Sequence, residues 1–307
     1  MQKESLSSES PVAGVMAGLG AFAAWGLLPV YWKALQGVFP VEILCHRIVW
    51  SLVFVAGILT FQGRWREALA PFRSGRDVFL LLCSSLLIGG NWLLYIWAVT
   101  ANRVVETSLG YYINPLVSVL LGFVFLRERM RPLQYVAIAL ATAGVANSML
   151  GYGQLPWVAL SLAVSFGLYG LIRKIAAVAS MPGLFLETLL LSPLAAAYLV
   201  YVYWSGDMAF LHVSRTTDAL LIGAGAVTSL PLLGFAFSAR CIRLSTLGIL
   251  QYLGPSLAFI LGVFVYKEPF TSGHLVTFVC IWAGLAVFSG ETLWNYRQPR
   301  LPGARKS

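Results

Sequence analysis

Apolar residues fall in ten long blocks along the chain, separated by short polar or basic connections. The blocks cover roughly 13–34, 43–62, 78–100, 105–126, 132–150, 155–173, 183–204, 217–239, 245–266 and 272–290. Each is near the length of about 20 residues that a helix needs to cross the hydrocarbon of a bilayer. In lipid every backbone group must be satisfied internally, and blocks of this length do so as helices. The pattern therefore predicts an all-α integral membrane protein with ten transmembrane helices. The longer connections are 63–77, which holds Arg64, Arg66, Arg73 and Arg76, and 205–216.

Two blocks repeat one another. Ser108–Arg129, SLGYYINPLVSVLLGFVFLRER, matches Gly248–Pro269, GILQYLGPSLAFILGVFVYKEP, at an offset of 140. Tyr112 falls on Tyr252, Pro115 on Pro255, Gly122 on Gly262 and Glu128 on Glu268. Ala143-Gly144 then falls on Ala283-Gly284, and at an offset of 141 Gly26 meets Gly167 and Lys33 meets Lys174. The chain divides accordingly into a polar, disordered N-terminus at 1–11, repeats at 12–150 and 151–290, and a basic tail at 291–307. Five helices per repeat is an odd number, so the second copy inserts upside down. Inverted repeats with interrupted helices mark carriers whose site lies between the halves.

Composition strengthens the membrane assignment. Of the 307 residues 59% are hydrophobic and 11% charged, against about a quarter charged in soluble domains; the mean hydropathy is +0.79. The net charge of +9 belongs to basic loops that set orientation. No basic stretch carries the stacking aromatics of a nucleic-acid surface. With the N-terminus inside, sixteen Lys and Arg lie on the inner side, and Lys33, Arg103, Arg215 and Lys267 on the outer. That bias puts both termini in the cytoplasm. Residues 1–11 lack the basic start and cleavage site of a signal peptide. Cys45, Cys83, Cys241 and Cys280 lie in apolar spans with no CxxC, so neither a disulfide framework nor a metal site is expected. No cofactor is implied. The expected partners are the lipid bilayer and a small-molecule substrate, for a monomer or homodimer.

Residues 24–33 (AWGLLPVYWK), 42–51 (EILCHRIVWS), 91–95 (NWLLY) and 106–117 (ETSLGYYINPLV) resemble the RarD permeases of the EamA branch of the drug/metabolite transporter superfamily. The likeness covers about residues 14–290. It implies ten helices, cytoplasmic termini, a central cavity between the halves, and a permease of the bacterial inner membrane linked by name to chloramphenicol sensitivity.

The polar residues inside the blocks are the candidate chemistry. A charge within a membrane costs about 2.5–3.5 kcal/mol on insertion scales and usually faces a cavity or a partner. Arg47, placed 3 to 5 residues into the second helix, either binds an anionic group or a carboxylate, or snorkels to the surface, or locks the second helix to a carbonyl. His46, with an ordinary pKa of about 6.5, and Glu187, its counterpart at offset 141, are the proton-coupling candidates. Glu187 alternatively pairs with Arg173 or Lys174. Glu42, one turn before His46, reads as a helix N-terminal charge at the outer mouth. Glu128 and Glu268 read as partners of nearby basic residues or as caps of the next helix.

Asn91 at mid-depth needs a hydrogen-bond partner. Trp92 and Tyr95 lie on the same helix and either stack on a ligand or pack. Tyr112, Asn114, Gln251 and Tyr252 surround the two prolines and are the leading cavity candidates, with Trp25 a weaker one. Pro115 and Pro255 each remove a donor and free a carbonyl four residues back, and are read as helix breaks. A carrier is favoured over a membrane enzyme or a channel. HxxxxD, HExxH, GxSxG and P-loop strings are all lacking.

Overall fold

The computed structural model describes residues 11–127, 130–152, 155–176, 178–242 and 250–297. Residues 1–10, Glu128, the beginning of the ninth block at 243–249 and the end of the tail lie outside the described residues. Every expected block contains helix: α1 Pro11–Lys33, α2 Pro40–Gln62, α4 Gly75–Thr100, α5 Val104–Leu126, α6 Pro132–Tyr152, α7 Trp157–Ala176, α8 Ser180–Ser205, α9 Arg215–Cys241, α10 Leu253–Ile260 and α11 Ser272–Arg297. A short α3, Trp65–Leu69, and a 3₁₀ turn, Ala70–Arg73, fill the basic connection after α2.

Among the described residues, eight of these helices are long and apolar enough to cross a membrane. α6 and α10 are the two outside this set. The latter continues through a π-helical turn, Leu261–Val265, as a shorter apolar helix. The fold is thus an all-α, multi-pass membrane protein. At its end α11 runs on to Arg297, so the helix extends past the expected limit at 290.

Local chemistry explains the helix ends. α2 begins on Pro40, where a missing N–H costs nothing, and ends on Gly63 at φ 64°. α8 ends on Gly206 at φ 79°. Both use the left-handed conformation that glycine adopts without steric cost. The Ser74 hydroxyl caps α4 by accepting the Asp77 N–H at 3.3 Å. Outward-facing apolar side chains such as Phe61 and Trp204, 95% and 81% exposed, suit a lipid surface.

The helices pair as α6 with α11, α5 with α7, α1 with α9, and α4 with α7; α2 lies on α8 and α9, and α10 on α1 and α5. Small residues allow the closest approaches. A methyl built on Gly144 would lie 2.9 Å from the Thr277 carbonyl oxygen, and one on Gly284 would lie 2.7 Å from that of Ala137. Residue 277 is 137 displaced by 140, and 284 is 144 displaced by 140. The two contacts are therefore the same contact with the halves exchanged. Gly26 against Leu257 and Gly167 against Val117 form a second such pair, at 2.7 and 3.0 Å.

Candidate functional site

α2 carries the most unusual side chain in the bundle. Because α2 starts at Pro40, Arg47 is its eighth residue, about 10 Å along the axis and deeper than the spacing of apolar positions implied. It does not snorkel. The side chain is buried, 5% exposed. Its guanidinium carbon sits 4.0 Å above the Trp92 ring of α4 and 5.3 Å from the Trp32 ring of α1. Tyr95 and Tyr111 lie within its electrostatic reach, their rings edge-to-face at 5.6 Å. Nε and Nη1 are buried and without a hydrogen-bond partner, and no carboxylate comes within 4.0 Å, among the described residues.

The neighbouring His46 is held by its surroundings. Trp50 donates its indole N–H to Nδ1 at 3.3 Å, which leaves the proton on Nε2. Nε2 faces Glu42 Oε1 at 4.0 Å, and the ring lies 4.7 Å from Phe210. Glu42 is not a solvated charge at the mouth. It is 1% exposed and accepts backbone N–H groups of Ala209 and Phe210 at 2.9 and 3.0 Å. Its carboxylate satisfies a loop end that otherwise has no partner, which is why burial is tolerated.

Glu187 on α8 lies elsewhere, in a closed network. Ser84 donates to it at 2.8 Å and Tyr169 at 3.2 Å, and Arg173 Nε approaches to 3.6 Å. Pairing with Arg173 is thus the observed arrangement. Asn91 is also satisfied, donating to the Leu162 carbonyl at 3.0 Å and to Ser165 at 2.9 Å, and so ties α4 to α7.

The remaining candidates form a second group. Tyr112 stacks with Tyr252, centroids 6.4 Å apart, and its hydroxyl meets that of Ser256 at 2.7 Å. Phe278 and Trp282 flank it. Adjacent on α5, Tyr111 and Tyr112 point about 100° apart, which divides the expected set between the two groups. Asn114 keeps a buried carbonyl oxygen without a partner among the described residues. Gln251 and Tyr252 form the turn before α10, and Trp25 packs on Phe22 and Phe235.

The prolines differ from each other. α5 passes through Pro115 as continuous helix, so the expected break is absent there. Pro255 lies in the first turn of α10, where an N–H is dispensable. The irregularity falls on either side of it, in the turn at 251–252 and in the π turn. Its carbonyl accepts from Ser108 at 2.8 Å.

Trp32 and Tyr111 belong to the Arg47 group without having been singled out by the pattern. Trp32 precedes Lys33 at the end of α1, and nothing in spacing puts it near α2. Lys33 itself donates to the Asn102 side-chain oxygen Oδ1 and lies 4.1 Å above the Tyr266 ring. It thereby joins the ends of α1, α4 and the π turn. A cavity of about 540 Å³ opens at the bundle end between Arg103, Glu106, Trp157, Glu268 and His274, away from Arg47. Among the described residues no cluster of His, Cys, Asp and Glu is arranged to hold a metal.

Residues 12–150 match the EamA-like transporter family. The chain is 47% identical over 283 residues to a protein of Vibrio cholerae named "Uncharacterized transporter", covering 91% of this chain and 93% of that one. It is 42% identical over 285 residues to "Protein RarD" of Escherichia coli, covering 93% and 96%. "Chloramphenicol-sensitive protein RarD" of Pseudomonas aeruginosa is 34% identical over 275 residues, covering 88% and 91%. A solved crystal structure shares the fold at a TM-score of 0.57 and 19% identity, covering 94% of this chain and 99% of that one.

Proposed function

This chain belongs to the EamA-like transporter family as a RarD-type permease of the drug/metabolite transporter superfamily, and we propose that it carries its substrate by alternating access between two inverted halves. The family makes it a secondary transporter of a small molecule and not an enzyme. In the proposed arrangement residues 12–150 and 151–290 form five-helix repeats, ten spans in all. α6 and α10 with its preceding segment supply the fifth and ninth.

The observation that carries this reading is the reciprocity of contacts. Gly144 on Thr277 and Gly284 on Ala137 exchange under a shift of 140, and so in close register do Gly26 on Leu257 and Gly167 on Val117. Helices related in this way have one packing that closes one face and its exchanged counterpart that closes the other. A pore needs no such second arrangement. Counterflow in proteoliposomes tests it. Unlabelled substrate loaded inside should accelerate entry of labelled substrate; entry indifferent to internal substrate would mean a channel.

The transport site in this reading is the centre of the bundle. Arg47 and Trp92 with Tyr95 form its charged wall. Tyr112, Asn114, Gln251, Tyr252 and Trp25 form the opposite wall, and Asn91 braces α4. If transport is proton-coupled, His46 or Glu187 takes part; gradient-driven uptake that survives both His46→Ala and Glu187→Gln would remove them. The charge bias puts both termini in the cytoplasm of the bacterial inner membrane. Ser74→Cys should resist an impermeant thiol reagent outside intact cells, and its modification there would reverse the orientation. A monomer or homodimer is expected.

A further inference from the structure

Arg47 holds a buried, permanently charged group whose partner has to be found. Twelve carboxylate side chains occur in the sequence, and Glu4, Glu9 and Glu128 are the three outside the described residues. Glu42 is occupied by the Ala209 and Phe210 amides, Glu268 by those of Val104 and Val105, and Asp218 by that of Leu211. Glu67, Glu106 and Glu187 pair with Arg64, Arg103 and Arg173. None of the described carboxylates reaches Arg47.

What surrounds the guanidinium is aromatic. Trp92 covers one face at 4.0 Å and Trp32 stands at 5.3 Å, while Tyr95 and Tyr111 are nearby. Cation–π contact stabilises the charge through its face but leaves the in-plane N–H groups unmade, and Nε and Nη1 are buried without a partner among the described residues. The planar fork of arginine matches a carboxylate with two parallel hydrogen bonds. A dry site makes such a pair stronger than it is in water.

We propose that Arg47 is the anchor for a carboxylate on the transported molecule, whose aromatic or other flat apolar body lies among Trp92, Trp32, Tyr95 and Tyr111. This rests on the central site described above, and it names the substrate class: small organic carboxylates, in preference to cations and neutral amides. Trp92 holds the guanidinium in place and stacks on the ligand only at its edge. The substrate acid supplies the negative charge that no described carboxylate brings to Arg47, so binding and compensation of Arg47 are one event.

The test uses the purified full-length protein in detergent. Indole-3-acetate and benzoate are compared with indole-3-acetamide and benzamide, which keep the body and remove the charge, and with sodium chloride. Thermal unfolding should shift upward with each carboxylate and at least tenfold less sensitively with its amide. Arg47→Gln should abolish the carboxylate preference. Arg47→Lys, which keeps the charge and should fold if the glutamine variant does not, should weaken it severalfold by losing the fork. Equal response to acid and amide, or no response to either acid at millimolar concentration, overturns the proposal. So does a chloride response equal to that of the acids, since that is an inorganic anion site. Counterflow separates the two levels. A carrier that exchanges an amide but not the acid keeps alternating access and loses the carboxylate anchor. A protein that binds the acids through Arg47 but shows no counterflow keeps the anchor and loses the carrier reading.

Discussion

Replacing Glu268 should loosen one end of the bundle by a calculable amount. The residue follows the π turn and is 8% exposed. Its two oxygens accept the N–H groups of Val104 and Val105 at 2.9 and 2.8 Å, the first amides of α5. These are donors that a helix cannot satisfy internally. The carboxylate also faces the positive end of the helix dipole. Each buried amide left without a partner costs about 1–3 kcal/mol, so two give about 2–6 kcal/mol. The adjoining cavity of about 540 Å³ lets water reach the freed amides, which moves Glu268→Ala to about 2–3 kcal/mol. Glu268→Gln keeps one acceptor and turns its amide nitrogen on the other donor, for about 1–2 kcal/mol. Unfolding curves of the purified variants in mixed detergent measure both. Glu268→Ala within about 0.5 kcal/mol of the parent, the usual range of surface changes, would refute the capping role. A glutamine variant less stable than the alanine one would refute the acceptor count.

Two further substitutions follow from the packing and the buried charges. In the Glu187 network, Arg173→Gln should destabilise more than Glu187→Gln. The first leaves a buried carboxylate without its cation, a loss of about 3–5 kcal/mol. The second leaves an arginine still donating to the Val178 and Ala179 carbonyls; the same unfolding assay ranks them, and the reverse order would contradict the pairing. Gly284→Ala pushes a methyl to 2.7 Å from a backbone oxygen, whereas Gly20→Ala meets nothing within 4 Å. The former should cost about 1–3 kcal/mol and the latter almost nothing, with equal stability of the two variants arguing against the close α6–α11 approach.

The helices were legible because lipid imposes a length and a polarity on each span, and composition alone displays both. Helix ends were less so. Arg47 lay deeper than expected since α2 opens on Pro40, three residues before the apolar block, and a proline that reads as a breaker is acceptable in a first turn. The same ambiguity separates the two repeat prolines. Pro115 is accommodated in a continuous helix, while Pro255 stands in the opening turn of α10. The offset of 140 matches them in sequence but carries no information on where each helix starts. Partners across the fold were the least legible part. Glu268 and Val104 are 164 residues apart, and the expectation that Glu268 caps the next helix failed because its carboxylate takes the first amides of α5 instead.

These buried groups show how the bundle treats charge. Backbone amides at a helix or loop end accept a carboxylate readily, because several oriented N–H dipoles converge there and cost nothing to arrange. Glu42 and Glu268 both use that solution, and each joins elements distant in sequence. A guanidinium has no equivalent: carbonyls at helix ends point along the axis, and five donors exceed what one end supplies. Arg173 reaches two such carbonyls and still needs Glu187. Arg47, eight residues into α2 where carbonyls are committed to the helix, meets only aromatic faces among the described residues. With Glu42 and Glu268 held by amides, Glu187 by Arg173, and Arg47 lying on tryptophan among the described residues, Arg47 is the position on which the proposed carboxylate anchor rests.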